Sequence, residues 1–147
     1  MRTRTVKQKK RSKTMDKNEL FSQAEKASEH SYSPYSKFRV GAALLCKDGE
    51  IICGSNIENR SFGLTNCAER SAIFSALSKG QTEFIALAIF CPDADYPVSP
   101  CGACRQVISE FTESSFPIYF AGNDRKYIES TIGELFPYDA LNELKDK

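Results

Sequence analysis

Two short segments, Cys67-Ala68-Glu69-Arg70 and Pro100-Cys101-Gly102-Ala103-Cys104-Arg105-Gln106, constrain this chain more than anything else in its 147 residues. Cysteines three positions apart on a helix lie one turn apart on one face, so Cys101 and Cys104 can hold a single metal ion. Cys67 has to come in from a separate segment. Three protein ligands leave the fourth tetrahedral position of a zinc ion to water, which separates a catalytic site from a closed structural one. Glu69, two residues past the first ligand, is placed to handle the protons of that water. One zinc per chain is therefore expected, and the fold must carry two distant segments to one point.

The intervening sequence suits that demand. Leu20, Phe21, Ala24 and Ala27 recur at helical spacing between Asp16, a capping residue, and Glu29, and Ser33-Pro34-Tyr35 stops this first helix. Residues 38–46 read as a buried strand, and Asp48-Gly49 is a hairpin signal leading into a second, antiparallel strand at 51–57. Cys67 opens a second helix whose apolar face is Ala68, Ala72, Ile73, Ala76 and Leu77 and which ends at Gly80. Residues 84–91 form an almost unbroken apolar run, the signature of a central strand covered on both faces. A loop with Pro92, Pro97 and Pro100 leads into a third helix at 101–111, with Ser99 expected as its cap and Pro100 as its first residue. Strands at 117–121 and 126–130 around Gly122-Asn-Asp-Arg125, a short helix near 131–135 and a tail from Pro137 complete the chain. Strands alternating with helices and flanked by hairpins predict an α/β fold, a three-layer α/β/α sandwich on a five-stranded mixed sheet. In it Cys67 and Cys101 both stand at helix N-termini, whose positive dipole ends favour thiolates.

Composition bounds the function. The net charge of +1 hides seven Lys/Arg and no acid in residues 1–14; residues 15–147 carry 13 basic against 19 acidic groups, a net of −6. The first 14 residues are too polar to bury a core and are expected to be a disordered basic tail, with residues 15–147 forming one catalytic domain. Val6 alone cannot make the apolar face of a mitochondrial presequence. An acidic body lacks the basic face that grips a phosphate backbone, so a nucleic-acid partner is not expected. Neither a secretory apolar run nor a membrane-spanning stretch is present in the sequence, and Cys46, Cys53 and Cys91 read as buried free thiols; a cytoplasmic protein is the expectation.

Each candidate has a competing reading. With Asn66 as N-cap, Glu69 would be the third helical residue of an ordinary capping box. Arg70 could be a solvated helix residue; alternatively, three thiolates on a divalent cation leave the site at −1, and a guanidinium beside it would restore the acidity of the bound water. Arg105 has a weaker claim to the same task. His30, the one histidine, reads as a surface residue rather than a ligand.

With these motifs in view, the chain closely resembles the small, homotetrameric zinc-dependent cytidine deaminases. The likeness runs from about Tyr32 to Leu135 and is carried by Tyr35-Ser-x-Phe38-x-Val-Gly-Ala-Ala-Leu44, Gly54-Ser-Asn56-Ile-Glu58-Asn59, Cys67-Ala-Glu-Arg70 and Pro100-Cys-Gly-Ala-Cys-Arg-Gln106. A ligand-x-Glu segment followed by Pro-Cys-x-x-Cys is the zinc-deaminase pattern, with the glutamate outside the coordination shell. The resemblance implies hydrolytic deamination of cytidine and 2′-deoxycytidine in pyrimidine salvage, with Glu69 moving protons from water to N3 and to the departing amine. It also implies that Asn56 and Glu58 bind the ribose 3′-hydroxyl, Phe38 packs on the pyrimidine and the backbone at Ala68 contacts the base. Phe62, where a tyrosine is usual, would enter the pocket of a neighbouring subunit. Ala140 stands where a C-terminal lid aromatic is expected, and Tyr138 is the candidate substitute. Rival readings are a blasticidin S deaminase, which needs a different 56–66 loop, a zinc-binding interaction module, which needs a fourth ligand, and a polynucleotide editor, which the acidic body disfavours.

Overall fold

The computed structural model describes residues 15–146, so the basic tail at 1–14 lies outside the described residues. Strand Phe84–Phe90 (β3) occupies the middle of a five-stranded sheet, and its sequence explains why: Leu87 and Ile89 point to one face and Ala86, Ala88 and Phe90 to the other, all of them buried. On one side it pairs antiparallel with Gly41–Cys46 (β1), which in turn pairs antiparallel with Ile51–Ser55 (β2). On the other it pairs parallel with Pro117–Ala121 (β4), followed by antiparallel Tyr127–Thr131 (β5), giving the order β2-β1-β3-β4-β5. The expected mixed sheet is present.

Helix Lys17–Ser28 (α1) covers one face. Asp16 caps it as anticipated, its carboxylate accepting the Asn18 and Glu19 N–H groups at 2.9 and 3.4 Å. Leu20 and Ala24 pack on Ala43, Ala86, Ala88 and Tyr119. Helices Ala68–Ser78 (α2), Gly102–Phe111 (α3) and Ile132–Leu135 (α4) cover the opposite face, where Ala72, Ile73, Ile108 and Ile132 meet Leu44, Leu87, Ile89 and Ile118. Small residues set the spacing of the layers. A Cβ on Gly54 of β2 would lie 2.4 Å from the Ala72 nitrogen and 2.6 Å from the Ala68 carbonyl oxygen, so α2 rests directly on strand backbone. Beyond Ser78, Gly80 adopts φ +86°, and the N–H groups of Gly80 and Gln81 return to the carbonyls of Leu77 and Ala76 at 3.0 Å each. This Schellman closure ends α2 where the glycine predicts.

Several boundaries differ from expectation, among them the end of β2, which falls at Ser55 rather than residue 57. β1 begins at Gly41 rather than residue 38, because Phe38 and Val40 bond to the side chain of Asn56: its Nδ2 donates to the Phe38 carbonyl at 2.7 Å and its Oδ1 accepts the Val40 N–H at 2.9 Å. α3 is capped by Cys101, not Ser99, and α2 by Cys67. The tail beyond Pro137 is not featureless; it closes in a short 3-10 helix, Asn142–Asp146. Among the described residues no helix is long and apolar enough to cross a membrane.

Candidate metal centre and active site

Cys67 and Cys101 are the N-cap residues of α2 and α3, both extended (φ −76°, ψ 158° and φ −68°, ψ 168°), and neither sulfur accepts a capping hydrogen bond from its helix. Both thiols are thus free to face outward along the positive ends of two helix dipoles. Cys104, one turn into α3, is fully buried, while Cys101 is exposed and Cys67 intermediate. The three Sγ atoms lie within 4.8 Å of one another, and those of Cys67 and Cys101 are 3.8 Å apart. Tetrahedral zinc with bonds of about 2.3 Å demands sulfurs about 3.8 Å apart. Distance and donor chemistry both fit zinc, and no fourth His, Cys, Asp or Glu joins the group among the described residues.

Glu69 is 4 % exposed, and the Cys104 thiol donates to its Oε2 at 3.4 Å. Since Cys67 is the N-cap, Glu69 is the second helical residue and not the third, so the capping-box reading falls: Asn66 is not the cap, and its Nδ2 donates to the Ser71 hydroxyl at 3.2 Å instead. Burial pushes the Glu69 carboxyl up to about 7, the Cys67 charge adds to the rise, and its own backbone N–H, Cys104 and Arg70 oppose it. A carboxyl poised near neutrality can accept and return a proton.

Arg70 is not a solvated residue. Its Nη2 donates to Cys67 Sγ at 3.3 Å, and its Nε is buried with no hydrogen-bond partner. Hydrogen bonds from Cys104, Arg70 and Cys101, against the cost of burial, draw the Cys67 thiol down to about 5. Cys104 moves the other way, held protonated by its bond to Cys67, by burial and by the nearby Glu69 carboxylate. Arg105, the weaker candidate for charge compensation, spends its guanidinium on Pro100, Leu135 and Ser99 instead.

A model of the cytidine and deoxycytidylate deaminase zinc-binding region matches residues 14–119. The chain belongs to this deaminase family. Among its relatives, the cytidine deaminase of Sporosarcina psychrophila is 51 % identical over 123 residues, covering 84 % of this chain and 90 % of the relative. That of Halalkalibacterium halodurans is 49 % identical over 123 residues, 84 % of this chain and 92 % of the relative. The crystal structure of the Burkholderia pseudomallei cytidine deaminase superposes with a TM-score of 0.81 at 41 % identity, over 84 % of this chain and 98 % of that one.

In this deaminase, Phe38, Asn56, Glu58 and Phe62 gather around the 31–38 segment and the residues that follow β2, whereas Ala68 and Tyr138 lie elsewhere in the chain. Phe38 is half-buried against the core. Asn56 is largely spent on its own chain: besides Phe38 and Val40, its Oδ1 accepts from the Ser31 hydroxyl. One Nδ2 hydrogen remains. Glu58 Oε1 accepts the N–H groups of Tyr35 and Ser36 at 3.0 and 3.1 Å, and with the Ser36 hydroxyl these hold its carboxyl below the usual range. A carboxylate has about four acceptor sites, so one is left. Phe62 is 74 % exposed with its ring 5.7 Å from that of Tyr35, and Tyr138 is fully exposed at a positive φ of 55°. Ala68, at the first position of α2, is fully buried. Sequence reading missed the bracing of Glu58 by Tyr35 and Ser36 and the task of Arg105. Ser-Pro-Tyr-Ser before Phe38 was a turn signal that could have marked the first.

Proposed function

We propose that this protein hydrolyses cytidine and 2′-deoxycytidine to uridine and 2′-deoxyuridine with release of ammonia, in pyrimidine salvage. One observation carries the reading: three thiols at two converging helix starts, spaced for zinc, with a buried carboxyl titrating near neutrality against one of them. Cys67, Cys101 and Cys104 are the ligands. Zinc supplies Lewis acidity that brings the pKa of a water from ~16 toward ~7. Glu69 is the proton carrier: its carboxylate takes a proton from the attacking water and delivers it to N3, making C4 electrophilic. It then moves the hydroxyl proton of the tetrahedral carbon to the amine, which leaves as ammonia. Arg70 offsets the charge of the third thiolate and keeps Glu69 more acidic than burial alone would.

The ribose end follows from the donors and acceptors left over. The remaining Nδ2 hydrogen of Asn56 donates to a hydroxyl oxygen and the remaining acceptor of Glu58 takes that hydroxyl's proton, so both can bind one 3′-hydroxyl. Phe38 packs against the pyrimidine and the Ala68 backbone meets its polar edge. The exposed Phe62 completes the pocket of a neighbouring copy in a homotetramer, and Tyr138 serves as the lid in place of an aromatic at Ala140. The protein works in the cytoplasm without a nucleic-acid or membrane partner.

The test is a steady-state assay of the zinc-bearing protein on cytidine, deoxycytidine, cytosine, CMP and blasticidin S. Turnover of both nucleosides, with cytosine and CMP poor, is expected, because a site built around a hydroxyl rejects analogues that lack it. Preferred turnover of blasticidin S, or a purified protein without zinc, would overturn the assignment.

A further inference from the structure

Arg105 stands in the turn that begins α3, yet its guanidinium does not reach a thiolate. Its Nε donates to the Pro100 carbonyl at 2.7 Å, its Nη1 to the Leu135 carbonyl at 2.7 Å and its Nη2 to the Ser99 hydroxyl at 3.3 Å. Each acceptor needs it. Pro100 is fully buried and its carbonyl immediately precedes the helix cap, while Leu135 ends α4 and leaves a helix-terminal carbonyl without an intrahelical partner. A planar fork making short charge-assisted bonds on two sides fixes both peptides relative to α3.

Cys101 directly follows the Pro100 peptide held this way and caps α3. Its other anchor is its own carbonyl, which accepts the Arg105 N–H at 2.9 Å. Little else restrains it: the residue is exposed, its sulfur takes no capping bond, and a Cβ placed on the adjoining Gly102 would meet nothing within 4 Å. We infer that Arg105 is a positioning residue for the metal centre: by gripping the Pro100 and Leu135 carbonyls it holds the Cys101 cap where its sulfur can share one ion with Cys67 and Cys104. The same grip ties the cap to the end of α4, from which the segment bearing Tyr138 departs. The inference rests on the zinc reading above.

Two readouts separate positioning from general stability: the rate at which zinc passes to a chromogenic chelator, and the thiolate-to-cobalt charge-transfer band of the cobalt-substituted protein. Groups that orient metal ligands typically affect metal affinity by about 10- to 100-fold. Arg105→Ala should release zinc at least about tenfold faster than the parent and shift the cobalt band, with Arg105→Lys intermediate because an ammonium can hold one carbonyl but not both. Lys145→Ala, which removes a 2.9 Å bond to the Thr112 carbonyl at the far end of α3, should release zinc at the parent rate. A parent without zinc sinks the metal reading and this inference with it. A zinc-bearing parent whose Arg105→Ala variant shows the same release rate and cobalt band sinks this inference alone. Where Arg105→Ala is not recovered folded, Arg105→Lys decides by the same two measurements, and failure of both to fold also overturns the inference, since the role then belongs to the whole fold.

Discussion

The metal pole and the proposed sugar pole of this site are built on opposite rules. At the metal pole the protein leaves bonding capacity unspent: two N-cap sulfurs accept no capping bond from a helix N–H, Arg70 Nε has no partner, and a side-chain partner of Glu69 is a thiol that a metal would claim. At the sugar pole almost everything is spent. Asn56 makes three hydrogen bonds to its own chain and Glu58 is braced by the peptide N–H groups of Tyr35 and Ser36. The difference teaches that a reactive group shows itself by what the fold withholds from it, whereas a recognition group is first a structural brace and offers only its remainder.

Replacing Glu69 by Gln is the strongest way to break the contrast. The amide fits the same buried space and cannot carry protons, so kcat should fall by several orders of magnitude with zinc content and thermal midpoint retained. In the parent, the carboxylate must be ionised to accept a proton, so kcat/KM should climb as pH rises through about 7 and level off above. In Glu69→Gln that acid limb should vanish from the residual activity. A Gln variant with near-parental kcat would show that the buried carboxyl was only a packing group.

At the sugar pole the effects should be smaller and should differ between the two residues. Glu58→Ala removes the acceptor left for a substrate hydroxyl together with the exposed bonds to the Tyr35 and Ser36 N–H groups, and should lose about 1–3 kcal/mol of transition-state binding on cytidine and markedly less on cytosine. Asn56→Ala removes the bracket that holds Phe38 and Val40 as well, so it should lower the thermal midpoint and reduce activity on both compounds. Equal behaviour of the two variants would erase the distinction between brace and remainder. The mildest expectation concerns Phe62→Ala. Exposed on one copy, this ring should matter only in the assembly, so the variant should show weaker association and reduced activity together. Specific activity that stays constant while dilution dissociates the subunits would contradict a shared pocket.

Much of this was legible in the sequence because local chemistry decided it. The apolar run of β3, the Asp48-Gly49 turn, the Gly80 stop and the paired cysteine segments each carry their own signal, and the sheet order then brings the helix starts together. What was not legible depends on side chains reaching across the chain. Nothing local to Asn56 says that it will bond to Phe38 and Val40 and so delay β1 to Gly41. Nor does the helical position of Arg105 say whether it turns toward thiolates or carbonyls; that choice is made by the end of α4, 30 residues away. Glu69 was ambiguous for the opposite reason, since two local motifs competed until the cap proved to be Cys67.

Gly54 gives the site a gauge length. Because α2 lies on the backbone of β2 at Gly54 with no side chain between them, the strand that ends beside Asn56 and the helix that begins at Ala68 and Glu69 are in direct backbone contact. The spacing of the backbones that carry the proton carrier and the proposed sugar anchor is therefore set by peptide against peptide. In the proposed binding mode a substrate is measured against this spacing, and molecules with the right chemistry at only one end should bind more weakly.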